Sequence, residues 1–241
     1  MSNFPRIPVL VYHKIAGPSE YDANPNTCVT PANFERQMDL MALMGYKTAD
    51  PAEYFKARLG LASRLPKKPF LITFDDAFES VLTRALPVLE KKGFSAALFM
   101  VSSGFGRSAF WDEETDDSPN RLLEPSGLKK LRDAGWVIGS HGVSHRNFTD
   151  LDCTSLKDEA SLSKKELEEA LGSEVSWFAY PYGAYSPEAK RALAEAGYTM
   201  GFATEEGDGG LFSVPRRIIS GKSGLLNFAL RLRQAGKISI R

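Results

Sequence analysis

Cysteine and histidine are scarce in this chain, and net charge is absent. Two cysteines, Cys28 and Cys153, allow one disulfide or two free thiols and nothing more. Thirty basic side chains balance thirty acidic ones, which argues against binding a polyanion by bulk charge while leaving room for a local basic groove. The pairs Lys67-Lys68 and Lys129-Lys130 read as solvated faces, so no nucleic-acid partner is expected. No apolar run is long enough to span a membrane. The start, MSNFPRIPVLVYH, lacks the basic segment, apolar core and small-residue cleavage site of a signal peptide. The expected location is therefore cytoplasmic by default, with an extracellular one left open because a leader removed beforehand would leave no trace. Repeats and low-complexity linkers are also missing. The 241 residues suit one domain over 1–241 with a substantial core, and sequence leaves its oligomeric state open.

What is present is an alternation of short β-rich runs with helical patterns. IPVLVYH (7–13) reads as a strand, and TPANFERQMDLMALMGY predicts a helix, capped by Thr30, with Pro31 in its first turn and an apolar face of Phe34, Met38, Met41 and Met44. YKTA and PFLITFD predict strands around a PAEYFKARL helix; ESVLTRALPVLEKKG predicts a helix kinked at Pro87 that feeds the strand SAALFMV. Further on, GLKKLRDAG, the polar-faced TSLKDEASLSKKELEEALG, SPEAKRALAEAGY and a segment near GLLNFALRLRQAG predict helices. Between them WVIGS, SWFAY, TMGFA and a run around FSVPRRIIS predict strands. Residues 102–123 break the rhythm with a Gly- and acid-rich stretch carrying Phe105, Phe110 and Trp111, either a functional lid or a variable excursion.

Strands separated by helices imply a parallel sheet covered by helices. The first strand-to-helix turn has no Gly-rich phosphate fingerprint, which disfavours an open Rossmann sheet. The fold class is α/β, a distorted (β/α) barrel of about seven parallel strands, in which reactive side chains collect at the carboxyl ends of strands.

The polar outliers fall at those ends. His13 closes the first strand, Asp75 and Asp76 close FLITF, His141 follows WVIGS, Tyr180, Pro181 and Tyr182 follow SWFA, and Arg216 and Arg217 lie near the last strand. His141 and His145, four residues apart in HGVSH, can meet at one ion with Asp76 as an oxygen ligand, leaving a zinc-like centre open to water and substrate. No Glu lies between the histidines, so this is not an HExxH site. Asp75 is then available as the general base toward metal-activated water. Alternatively, the two aspartates cap the helix starting near Phe78.

TFDD, HGVSH and the YPYG of FAYPYG resemble the first three motifs of the polysaccharide deacetylase family, also called the NodB-homology or carbohydrate esterase family 4 fold. PVLVYHKI resembles the subgroup that includes poly-N-acetylglucosamine deacetylases, and the likeness runs from Pro8 to about Ser220. It implies metal-dependent removal of N-acetyl, sometimes O-acetyl, groups from an acetylated sugar or glycan. Carried across, Asp75 is the base, Asp76, His141 and His145 hold the ion, and the Tyr182 backbone amide helps hold the oxyanion. One divalent ion is implied, Zn2+ first, with Co2+, Ni2+ or Mn2+ as alternatives.

This sequence departs from the family pattern in three places. Ala179 stands where an Arg usually steadies the base; Arg216 is a replacement candidate, against Arg217 or neither. No histidine follows His145 to protonate the leaving amine, so His13 is left as the histidine acid, against a packed structural role for it or proton shuttling by the metal-bound water. No clear Asp- and Trp-containing fourth motif exists; Asp208 is the nearest acidic residue and reads as a solvated turn. Tyr12 and Tyr182, and less strongly Phe110, Trp111 and Tyr185, are candidates for stacking on sugar faces. The alternatives to an N-deacetylase are an O-acetyl esterase, a hydrolase of a small non-sugar amide, or a catalytically weak sugar-binding module.

Overall fold

The computed structural model describes residues 7–17, 27–112, 121–204, 207–221 and 224–235. Strand β1 (Val9–Tyr12) is followed by a small parallel pair, β2 (Lys14–Ile15) and β3 (Cys28–Val29), which is not legible in the sequence because two-residue strands carry no period. Helix α1 (Pro31–Leu43) starts as expected: the Thr30 hydroxyl accepts from the Asn33 amide at 3.2 Å, and Pro31 takes a first-turn place that needs no N–H. Next come β4 (Lys47–Thr48), α2 (Pro51–Arg58) and β5 (Pro69–Phe74). The kink expected at Pro87 is a π-helical stretch, Val81–Ala85, running into α3 (Leu86–Glu90). Pro87 lacks an amide hydrogen and its ring crowds the turn before it, so the backbone widens and the Leu86 amide bonds Val81, five residues back. The rest alternates: β6 (Ala97–Met100), α4 (Pro125–Asp133), β7 (Val137–Ser140), α5 (Cys153–Leu171), β8 (Trp177–Ala179), α6 (Pro187–Glu195), β9 (Met200–Phe202), β10 (Arg217–Ile218) and α7 (Leu225–Ala235).

The strands lie parallel in the order β10-β1-β5-β6-β7-β8-β9, with β4 beside the start of β5. The sheet curls into the distorted (β/α) barrel that the alternation predicts. Its seam is crossed by one segment: Val214 makes a parallel bridge to Phe202 of β9, and Arg217 pairs with Leu10 of β1.

Period-two alternation sorts the strand side chains. Val9, Leu71, Ala97, Phe99, Trp177, Ala179, Met200, Phe202 and Val214 form an inner cluster, whereas Leu10, Tyr12, Ile72, Phe74, Leu98 and Phe178 join the outer core beneath the helices. This corrects the stacking role expected of Tyr12. It falls in phase with Leu10, is fully buried, packs edge-on to Phe34 at 5.2 Å and donates its hydroxyl to Gln37 Oε1 at 2.9 Å.

Gly139 is the inward position of β7, and a Cβ there would lie 2.6 Å from the Phe99 ring and 2.8 Å from the Trp177 carbonyl oxygen. Its absence leaves room for Phe99, whose ring then supports the guanidinium of Arg216 at 5.5 Å. No disulfide joins the two cysteines, of which Cys28 is buried and Cys153 exposed. Among the described residues no helix is long and apolar enough to cross a membrane.

Candidate active site and metal centre

Strand β5 is apolar until it delivers TFDD at the barrel mouth. Thr73 and Asp75 are in phase with inward Leu71, so Asp75 turns into the barrel. Arg216, just before β10 and 0% exposed, meets it there: Nη1 donates to Oδ1 at 2.6 Å and Nη2 to Oδ2 at 2.7 Å. Nη1 also donates to Thr73 Oγ1 at 3.1 Å and Nε to the Ala203 carbonyl at 2.9 Å, so the fork is fixed on three sides. Of the two arginines considered from sequence, Arg216 faces Asp75. Burial raises the Asp75 pKa, but the charge and hydrogen bonds of Arg216, with His141 and His13 nearby, outweigh it and hold the carboxyl below its ordinary range.

Asp76 turns the other way because the backbone enters the left-handed region, φ 69° at Asp76 and 65° at Ala77. Such non-glycine conformations cost on the order of 1–3 kcal/mol each and persist where the surroundings hold them. Among the described residues the non-glycine cases are Asp76, Ala77, His145 (φ 56°) and Tyr182 (φ 59°), all at this site or adjoining it. The aspartate turn is braced by the Asp75 amide donating to the Tyr12 carbonyl at 3.0 Å, by the Leu123 amide donating to the Ala77 carbonyl at 2.8 Å, and by an antiparallel bridge between Phe78 and Leu122. The far end of the 102–123 excursion is thus part of the site's framework; residues 113–120 lie outside the described ones.

Helix capping does not account for the aspartate pair. Asp75 engages Arg216, and Asp76 Oδ1 lies 3.3 Å from His145 Nε2 and 3.6 Å from His141 Nε2. His141 Nδ1 is 2.7 Å from the Ala179 carbonyl, which can only accept, so the proton sits on Nδ1 and Nε2 keeps its lone pair toward Asp76. Burial pushes the His141 pKa down to about 4 despite the opposing pull of Asp75, which leaves the ring neutral near pH 7. His145 follows in a loop rather than on a helical turn, stacked on Trp111 at 4.2 Å and edge-on to Tyr182 at 4.8 Å. Burial raises the Asp76 pKa, but His145, His13 and His141 around it bring the carboxyl well below its usual range.

Asp76 Oδ1 is buried with no hydrogen-bond partner. An orphaned carboxylate oxygen is costly unless a cation meets it. The ligand atoms of Asp76, His141 and His145 all lie within 4.8 Å of one another, a two-nitrogen, one-oxygen donor set that fits a single divalent ion and leaves positions open.

A cleft of about 230 Å³ opens over these groups, lined by Val11, His13, Thr27, Asp75, Asp76, Trp111, His141, His145, Tyr182, Gly183, Thr204 and Ile218. Asp75, Asp76, His13, His141, His145 and Tyr182 therefore line one cleft, with Arg216 beneath Asp75. His13 Nδ1 is buried without a hydrogen-bond partner, and Tyr182 is 61% exposed. Asp208 stays out of the cleft, as a turn residue accepting from the Gly210 amide at 2.9 Å and pairing with Lys190. Tyr185 packs on Tyr180 at 5.6 Å, away from the lining, while Phe110 packs edge-on to Trp111 at 4.9 Å. Sequence reasoning missed two supports, the Thr73 hydroxyl and the Ala179 carbonyl; the period of β5 was signal enough for the first, and a backbone acceptor leaves no signal.

A family model described as polysaccharide deacetylase matches residues 62–201, more than half of the chain. The chain belongs to the polysaccharide deacetylase family. Its polysaccharide deacetylase relatives include the Bacillus subtilis protein YxkH, 29% identical over 224 residues, which are 91% of this chain and 74% of that one. A poly-beta-1,6-N-acetyl-D-glucosamine N-deacetylase of Staphylococcus aureus is 25% identical over 193 residues, 75% of this chain but only 62% of the relative's length. Among solved structures, the Streptococcus pyogenes deacetylase PplD in complex with acetate superposes with a TM-score of 0.78 at 26% identity, covering 94% of this chain and 97% of the other. Membership and donor set together make the chain a metal-dependent hydrolase of the deacetylase type.

A pH effect follows from His141. Its folded pKa of about 4 lies below the ordinary 6.5, so the unfolded chain takes up the proton first. The metal-free protein is therefore expected to keep this contribution above pH 6.5 and to lose it as pH falls toward 4. Urea midpoints of chelator-treated protein at several pH values test this; a His141→Asn variant is expected to fall less steeply between pH 6.5 and 4, the slope left over belonging to the carboxylates.

Proposed function

We propose that the chain hydrolyses N-acetyl groups on an acetylated glycan, with zinc as the resident ion. The observation that carries the reading is the juxtaposition of an orphaned Asp76 oxygen and two imidazole nitrogens with a second carboxylate, Asp75, held ionised beside them. A bound divalent ion supplies a Lewis acid that acidifies water and polarises a carbonyl. Asp75 takes the proton from the attacking water. Each of its oxygens already accepts from Arg216, but a carboxylate oxygen has a second lone pair, so the clamp orients the base without blocking it. The Tyr182 amide donates to the oxygen that gains charge, and the exposed Tyr182 ring with Trp111 offers faces for a sugar ring. His13 hands a proton to the departing nitrogen, a role supported by its place in the lining of the same cleft. The relative named for poly-N-acetylglucosamine supports an amide-linked acetyl group as the target. The donor set supports zinc over a metal that prefers oxygen alone.

The test is acetate release from N-acetylglucosamine oligomers, abolished by chelator and restored by Zn2+, compared with Co2+, Ni2+ and Mn2+. No release from any acetylated glycan in the presence of all four would reject the reading. His13→Ala is expected to slow amide substrates about 10²-fold or more while sparing acetate esters, because an alkoxide leaves without the proton an amine needs. Equal losses on both would remove His13 from the acid role.

A further inference from the structure

Helix α5 carries a polar stripe that this chemistry does not use: Glu159, Ser163 and Glu166, spaced four and three residues apart so that they share one side of the helix. All three reach toward the barrel mouth. Glu159 is 7% exposed; its Oε2 accepts from the Val143 amide at 2.7 Å and the Ser144 amide at 3.2 Å, and its Oε1 accepts from the Ser144 hydroxyl. Ser163 Oγ accepts from Ser140 Oγ at 2.8 Å, which in turn accepts from the Gly142 amide at 3.2 Å. Glu166 Oε2 accepts from the Ser102 hydroxyl at 2.5 Å, while the Ser102 and Ser103 amides donate to the Gly142 and Val143 carbonyls at 3.0 and 3.1 Å.

The loop between His141 and His145 is therefore held on both edges: the Val143 and Ser144 amides donate to Glu159 on α5 and the Gly142 amide to Ser140 Oγ, while the Gly142 and Val143 carbonyls accept from the 102–103 turn. Gly142 fits this arrangement: its φ is +82°, and a Cβ would come 2.9 Å from Glu159 Oε2. The donors on Glu159 are all neutral, and among the described residues no cation pairs with it. A buried carboxylate without a counter-ion is a poor way to stabilise a fold. It is a good way to gather three converging donors, because every lone pair accepts. The loop it gathers ends at His145 in the left-handed conformation that turns the ring to Asp76.

We propose that Glu159 is a positioning residue for the divalent ion: its carboxylate sets the 142–144 backbone so that His145 Nε2 and Asp76 Oδ1 share one focus. The proposal rests on the reading that Asp76, His141 and His145 hold that ion. It is tested by titrating Zn2+, and separately Co2+, into chelator-stripped wild type, Glu159→Ala, Glu159→Gln and the exposed control Glu169→Gln, with circular dichroism to confirm folding. Loss of an outer partner of a metal ligand typically weakens affinity by about 10- to 100-fold. Glu159→Ala is expected across that range with an altered Co2+ absorption spectrum, Glu159→Gln at about 10-fold, since an amide keeps one acceptor oxygen, and Glu169→Gln unchanged. If Glu159→Ala does not fold, Glu159→Gln decides. Failure of the wild type to bind either ion would defeat the metal reading itself. A wild type that binds, with folded Glu159 variants within about twofold of its affinity and an unchanged Co2+ spectrum, would overturn the positioning role alone.

Discussion

Replacing Asp75 with asparagine is expected to lower kcat by about 10³-fold or more while leaving Zn2+ affinity nearly unchanged, because it removes the base and spares every ligand atom. The two aspartates are neighbours in sequence but not in environment. Asp75 lies inside the barrel on Arg216, and Asp76 is turned by a left-handed backbone toward His141 and His145. Asparagine keeps one acceptor for the guanidinium but sets its amide group against the other donor, so Arg216 stays buried with half a partner. Stability falls as well, and activity must be compared below the variant's own melting transition. Acetate release within tenfold of the wild type would reject Asp75 as the base. Loss of metal binding would reject the division of labour between the two aspartates.

The fold and the site were legible in sequence to different depths. A strand ending in two carboxylates and a histidine pair after another strand mark positions at one barrel rim, since parallel strands deliver their carboxyl ends together. What was not legible depends on register between distant strands. Arg216 and Arg217 are equivalent as neighbours; the pairing of Arg217 with Leu10 puts Arg217 in phase with the outer face and Arg216 with inward Val9 and Val11. The same phase took Tyr12 out of the cleft. Glu159 lies on a helix that reads as polar-faced, and only the path of the histidine loop shows why a carboxylate was turned inward there. Left-handed turns at Asp76, Ala77, His145 and Tyr182 are invisible in composition, because none is a glycine.

The register argument makes Arg216→Met the second large prediction. Removing one partner of a buried pair typically costs about 3–5 kcal/mol, since the other charge is left without compensation. Here that charge is the proposed base. Arg216 is the first influence that keeps the Asp75 pKa down against burial, so its loss lets burial prevail and the carboxyl pKa rises. A base must be ionised to act, and the acid limb of the kcat/KM profile should move to higher pH, because the opposite charge that favours the ionised form is gone. Activity near neutral pH should then fall more than activity at alkaline pH. A loss confined to folding would scale the whole profile without moving it, so a limb in its original place would show that Arg216 only stabilises. The double variant Asp75→Asn, Arg216→Met separates the two effects: with both charges gone the barrel interior should regain part of its stability, and turnover should stay as low as in Asp75→Asn alone.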